Sequence, residues 1–306
     1  MAEVSVTVVS GAWALAGVAL LLCLGFYAAT LDVVLAADGG KPGTALYEVA
    51  RLMRQRRRTT VAADTLLWRA GGVGLILAAS LMVTVVPLGR WTLADLDVGV
   101  MWFNAMDVMV WALVWLAGWG ANSAHPLVGA YRFLAHGLGY EMPLMFALVA
   151  PPVAAQSLRV ADVAAAQQGL WFAVWMPVAF VVYCLGVVAF SVWGPFSAAL
   201  GADIAGGVSA ELSGVDRLVF QAGRYSLLAA GAAFAVPMFL GGGAGPLLPA
   251  WSWVLLKTIA VLSVFVWLRS RLPVLRPEKF LEIGWMVLLP LTLVQDLVVA
   301  IIAVRS

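Results

Sequence analysis

GWGANSAHPLVGAYRFLAHGLGYE, residues 118–141, joins two apolar segments and carries a carboxylate into the second of them. Both histidines of the chain, His125 and His136, fall inside it. His125 stands beside Pro126 at a helix start and reads as a loop residue. Beyond it, four-residue spacing puts Arg132, His136 and Tyr140 on one helix face, and Glu141 is offset from that face by about 100°. A carboxylate at the centre of a membrane helix costs about 2.5–3.5 kcal/mol on insertion scales. Glu141 therefore needs a partner, a water-filled cavity or a proton. Two readings stay open for it: proton or ligand work in a bundle cavity, or a structural pair with Lys257 or Arg224.

Working outward, the two segments belong to a chain that cannot hide its surface from water. Of 306 residues, 63% are hydrophobic and 11% charged, against about 25% charged in a soluble domain. Eight apolar runs reach or approach the roughly 20 residues needed to cross a bilayer core: 9–35, 66–89, 97–119, 127–155, 169–193, 218–242, 249–269 and 281–304. No alternating barrel pattern appears, so the spans are helices. The expected fold is an all-α, polytopic integral membrane protein forming one membrane domain over 1–306, with about eight transmembrane helices. The N-terminus lacks a basic leader, and the first run reads as a retained span.

Loop charge orients the bundle. Thirteen of the 18 Lys and Arg residues lie in or beside the odd-numbered loops, while only Arg90, Arg159 and Arg305 lie in the even loops and the tail. The positive-inside rule places loops 36–65, 120–126, 194–217 and 270–280 in the cytoplasm and both termini outside, in a bacterial inner or plasma membrane. Within the first loop, residues 47–58 (YEVARLMRQRRR) read as a short helix on the membrane, with Leu46, Val49, Ala50 and Met53 on its apolar side. Its arginines serve either as an anchor to anionic lipid or as a dock for a cytoplasmic partner. A net charge of +2 implies no nucleic-acid partner.

Ionisable groups within spans are functional candidates by default. They are Asp107, Glu141, Arg224, Lys257 and Asp296. Apolar neighbours favour structural pairing or a water pocket for Asp107 and Asp296, and Lys257 divides between ion pairing and proton relay. Cys23 and Cys184 lie in separate spans without metal-ligand spacing. No haem or zinc ligand set, phosphate loop or nucleophile elbow is present. The chain reads as no self-contained enzyme, and redox chemistry would belong to partner subunits.

Three stretches resemble one family, NuoH, the H subunits of the proton-pumping NADH–quinone oxidoreductase (respiratory complex I). Residues 267–293, WLRSRLPVLRPEKFLEIGWMVLLPLTL, are similar to the family's W-x-R-x-x-x-P-x-x-R-x-D-Q and following G-W-K-x-L-L-P-L-x-L, with Trp267, Arg269, Pro273, Arg276, Gly284, Trp285 and Pro290 in place and Glu278 at the Asp position. The opening stretch resembles G-W-x-S-N-S-x-x-P-L-L-G-x-x-R-A-A-A-Q-x-x-S-Y-E, with His136 where the family has Gln. Glu211-Leu212-Ser213-Gly214 is similar to E-Y-S-G. The resemblance covers most of the chain from about residue 40 onward.

This resemblance implies a place on the membrane side of a quinone chamber, with ubiquinone or menaquinone as substrate at a shared site and no metal or prosthetic group of its own. It implies a quinone and docking surface at Arg132, His136, Tyr140, Phe196, Arg269 and Arg276, and a proton path through Glu141, Asp203, Glu211 and Lys257. Implied partners are the A-type and antiporter-like membrane subunits of such a complex, a soluble iron–sulfur arm and lipid. The chain departs from the family at several acids. The acidic run after Phe196 is reduced to Asp203, the A-E-Y acid is Arg224, and the first-loop acid is Arg51. Arg cannot release a proton in practice. The departures leave two alternatives beside the quinone enzyme: the membrane anchor of an energy-converting nickel–iron hydrogenase, and a non-redox ion-translocating or structural subunit of a reduced complex.

Overall fold

The computed structural model describes residues 6–36, 39–201 and 206–305; Asp203 lies outside them. The chain is all-α. Its long helices are α1 (Trp13–Leu35), α3 (Thr65–Val83), α4 (Gly99–Gly120), α5 (Ala124–Ala155), α8 (Pro177–Phe190), α9 (Gly214–Phe239), α10 (Ala250–Arg271) and α12 (Leu289–Arg305). Shorter helices fill the connections: α2 (Gly43–Arg54), α6 (Val160–Ala165), α7 (Phe172–Trp175) and α11 (Pro277–Ile283). Two-residue strands, β1 (Thr7–Val8) and β2 (Trp91–Thr92), pair in parallel and tie the start of the chain to the α3–α4 connection.

Among the described residues, seven helical stretches are long and apolar enough to cross a membrane: Trp13–Leu35, Thr65–Val83, Gly99–Gly120, Ala124–Ala155, Pro177–Ala199, Ala250–Arg269 and Pro277–Arg305. The run expected at 218–242 falls on α9, which is not one of the seven. Its 26 residues extend about 39 Å at 1.5 Å per residue, enough to span. Every residue from Leu227 to Phe239 is buried, so protein rather than lipid surrounds this half of α9. That permits an Ala- and Gly-rich helix carrying a buried Arg224. The run expected at 169–193 is interrupted. Pro177 opens α8, which is followed by a 3-10 turn at Gly194–Ala199.

Small residues bring the helices together, as expected where no water drives association. A Cβ on Gly71 of α3 would stand 2.5 Å from the Leu113 carbonyl oxygen of α4. At the interior, Phe103 of α4 stacks on Phe234 of α9 with ring centroids 3.8 Å apart. Asp64 caps α3 by accepting from the Leu66 and Leu67 amides, both at 3.1 Å. α12 begins through a π-helical stretch, Gly284–Leu288. There Trp285 Nε1 donates to the Leu138 carbonyl at 2.9 Å, and a Cβ on Gly284 would come within 2.2 Å of the Gly139 carbonyl oxygen.

The helix of the first loop lies earlier in the sequence than expected. α2 ends at Arg54, and Gln55 turns to extended backbone. Its buried residues are Ala45 and Leu52, seven apart, facing α1 and α9. On the expected apolar side, Leu46 and Met53 are 63% and 65% exposed, the side an interfacial helix turns to lipid. Arg56, Arg57 and Arg58 sit in the following loop. That loop is pinned by Arg58 N donating to Ser213 Oγ at 2.8 Å and by Arg57 and Arg69 facing Asp216 at 3.7 and 3.8 Å.

Candidate functional site

Two clusters gather most of the expected residues. The first lies midway along α4 and α5. Trp111 Nε1 of α4 donates to Tyr140 Oη of α5 at 2.9 Å. Next to Tyr140, both carboxyl oxygens of Glu141 are buried without a hydrogen-bond partner among the described residues, and so are both oxygens of Asp107. Asp107 is fully buried and stands one turn before Trp111 on α4, on the helix face that meets α5. Neither expected partner reaches Glu141. Lys257 Nζ donates instead to the carbonyls of Leu240, Gly242 and Ala244 at 2.7, 2.9 and 3.0 Å, beneath the Trp171 ring at 4.7 Å. Arg224 donates through Nε to Ser191 O and through Nη2 to Val192 O. The pairing expected for Asp107 and Asp296 is likewise absent among the described residues, where both carboxyls lack a partner. Carbonyl cradles at helix ends outcompete a distant carboxylate for Lys257 and Arg224, because each needs several acceptors within reach once buried.

Along the same face of α5, His136 is fully buried. Its ring meets Phe196 edge-on at 5.3 Å and Phe280 at 6.1 Å. Arg132, one turn nearer the helix start, donates to the carbonyls of Ala198 and Gly206, both at 3.2 Å. Glu211 accepts from Ser123 Oγ at 3.1 Å, at the beginning of α5. Arg132, His136, Phe196 and Tyr140 thus share one edge of α5, and Glu211 marks its rim on the side of the arginine-rich loops.

The second cluster joins α1, α9 and α10 on that side. Asp32 of α1 forms an ion pair with Arg269 of α10 and accepts from Tyr225 Oη at 3.2 Å. Trp193 lies under both arginines, 4.9 Å from Arg269 and 5.7 Å from Arg224. Asp32, Trp193 and Tyr225 are absent from the expected set. A lone acid in the last turn of an apolar helix, as in Thr30-Leu31-Asp32, was the signal for the first of them. Arg276 stands apart: it is exposed at the start of α11, where Leu275 N donates to Pro195 O at 2.7 Å. Arg51 is also exposed and binds Glu48 through two bonds of 2.7 and 2.6 Å. That bonding holds the Glu48 carboxyl below the usual carboxylate range.

Beside the second cluster, α1, α2 and α9 enclose an apolar cavity of about 220 Å³ whose lining includes Gly25, Leu52, Gln221, Tyr225 and Glu48. Among the described residues no group of three or more His, Cys, Asp or Glu is placed to hold a metal ion.

Buried carboxyls within an apolar helical bundle, with an arginine-rich face at one end, define a polytopic membrane protein that holds ionisable groups inside its spans. The NADH dehydrogenase family profile matches residues 43–300. An H subunit of the NADH-quinone oxidoreductase of Geobacter metallireducens is 33% identical over 83% of this chain and 80% of its own length. An H subunit from Cereibacter sphaeroides is 38% identical over 70% of this chain and 68% of its own, and the H subunit of Geobacillus kaustophilus 29% identical over 83% and 78%. The chain belongs to the NADH dehydrogenase family, together with these H subunits.

Proposed function

We propose that this chain is the H-type membrane subunit of an NADH–quinone oxidoreductase, forming the membrane wall of the quinone chamber and the start of a proton-translocation path. The observation that carries the reading is the pair of buried carboxyls Asp107 and Glu141, neither facing a cation among the described residues, in the middle of a bundle that belongs to this family. A carboxyl so placed is retained at a cost of several kcal/mol unless it exchanges a proton or meets water. The cavity between α1, α2 and α9 supports the chamber. It is apolar, it lies beside the Asp32–Arg269–Tyr225 cluster, and Tyr225 belongs to both. A quinone ring would rest on its apolar wall beside Tyr225, while the side-chain amide N–H of Gln221 would donate to its carbonyl end.

The arginine-rich side is the face for the soluble iron–sulfur arm and lies in the cytoplasm of a bacterium, with both termini outside once α9 is counted as the eighth span. Leu291, Val294, Leu297, Val298, Ile301 and Ile302 of α12 are exposed and face lipid or neighbouring membrane subunits of the A-type and antiporter-like kinds. Arg132, His136 and Phe196 line the edge of α5 below that face. Arg224 and Arg51 do not carry protons. Arg224 holds the turn before the 3-10 helix, and Arg51 supports α2. Purification of the tagged chain in mild detergent tests the reading. Recovery of iron–sulfur subunits with NADH–quinone reductase activity supports it, and recovery of antiporter-like subunits alone would overturn it.

A further inference from the structure

The paired carboxyls have a neighbour that the quinone reading leaves unused. The Trp111–Tyr140 bond and the 2.5 Å approach of the Trp111 ring to a Cβ built on Gly137 set the register of α4 against α5. The two helices run in opposite directions, so going back one turn from Trp111 brings Asp107 level with Glu141. One further turn reaches Asn104, whose Oδ1 is also buried without a partner among the described residues. At that depth a groove of about 430 Å³ begins between α4 and α5, with Asn104 and Met145 at its inner end. It opens at Asp97, Gln156 and Ser157, on the side opposite the arginine-rich loops. From Asn104 to the start of α4 at Gly99 it descends five residues, about 7.5 Å along the helix, and Asp97 lies just beyond.

We infer that Asp107 and Glu141 act as a shared carboxyl pair exchanging protons with the side opposite the arginine-rich loops through this groove. Asn104 is the polar group that draws water to its inner end. The inference rests on the proton-path reading above and adds its outlet and two residues, Asp107 and Asn104. In the step, a carboxyl O–H bond of the pair breaks and the proton passes to a groove water. The negative charge left behind is steadied by the neighbouring carboxyl, which keeps its own proton. The wall between Asn104 and the mouth is mostly apolar, Leu148 and Val149 among it. Water there is transient, as in pores that gate by dewetting, which would limit leak across the membrane.

The test uses the assembled complex in sealed vesicles, in a chain whose Cys23 and Cys184 are replaced by alanine. Single cysteines are introduced as Asn104→Cys and Met145→Cys, with Val108→Cys as the reference. Val108 is 47% exposed one turn from Asn104 and lies outside the lining of the groove. A membrane-impermeant cationic thiosulfonate is added from either side. Because only a hydrated thiol ionises and reacts, Asn104→Cys and Met145→Cys should be modified roughly tenfold faster than Val108→Cys from the side opposite the arginine-rich loops. Modification no faster than Val108→Cys, or only from the arginine-rich side, overturns the inference.

A second readout is protons moved per electron. Asp107→Asn should lower it by half or more while NADH–quinone turnover continues, and Asp107→Glu should restore it. An unchanged ratio in Asp107→Asn overturns the inference. Glu141→Gln separates the two levels: a normal ratio there removes the proton-path reading itself, whereas loss there beside a normal Asp107→Asn removes only the groove.

Discussion

Trp111 of α4 donates its indole N–H to the Tyr140 hydroxyl of α5 at 2.9 Å, and the next residue along α5 is Glu141. The bond locks the two helices that carry the buried carboxyls in one register. Tyr140→Phe leaves the indole N–H without its acceptor, at a cost of about 1–3 kcal/mol. The thermal midpoint of the purified complex should fall for Tyr140→Phe and for Trp111→Phe. The double variant should fall by less than the sum of the two. Additive losses would show that the two side chains are not coupled.

The ion pair of Arg269 with Asp32 joins α10 to α1, with Tyr225 as the third member. Arg269→Ala strands a carboxylate that is only partly exposed, and the predicted consequence is looser packing of α1 and weaker quinone binding. Replacing both residues by alanine should recover part of the stability lost in the single variant, because removing one partner of a charge pair is worse than removing both. Equal damage in the single and double variants would show that the pair does not hold these helices together.

Gly284 and Gly139 meet where the π-helical stretch leads into α12. Gly284→Ala would push a methyl to 2.2 Å from a backbone oxygen, which cannot be relieved by a side-chain rotation. The expected loss is about 1–3 kcal/mol, as for other overpacked sites, seen as a lower thermal midpoint or as increased proteolysis of α12. Gly43→Ala is the control, since a Cβ there meets nothing within 4 Å. Equal behaviour of the two variants would contradict the close approach.

The bond from Arg51 holds the Glu48 carboxyl below its ordinary value of 4.5. A depressed carboxylate contributes stability above its unfolded value and loses it as pH falls through the lower folded one. The contribution of this pair to α2 should therefore be complete near neutrality and fade below about pH 4.5. Arg51→Gln should remove that acid sensitivity. A protease-protection profile of α2 against pH that is identical in the two proteins would exclude the pair as its cause.

Much of this arrangement was legible in the sequence. Apolar run length gave the long helices, and four-residue spacing gave the shared edge of Arg132, His136 and Tyr140. Glu141 stood out because a carboxylate inside a hydrophobic run is costly. What escaped was set by tertiary packing. α9 is screened by other helices, so its composition understates its place at the centre. The packed face of α2, Ala45 and Leu52 against α1 and α9, is a second face beside the apolar side of Leu46 and Met53, and only tertiary contact reveals it. Lys257 and Arg224 turned to backbone carbonyls, and carbonyl acceptors in loops carry no signature in side-chain identity. The role of Asp32 is hidden because its partners, Arg269 and Tyr225, lie 237 and 193 residues away.

The most direct test of the central claim is proton translocation by the assembled complex carrying Glu141→Gln, measured beside its NADH–quinone reductase rate and subunit content. If the buried carboxyls form the path, assembly and subunit content are retained while protons moved per electron fall sharply, and Glu141→Asp recovers part of the loss. A Glu141→Gln complex that assembles and pumps with the unaltered ratio would contradict the account.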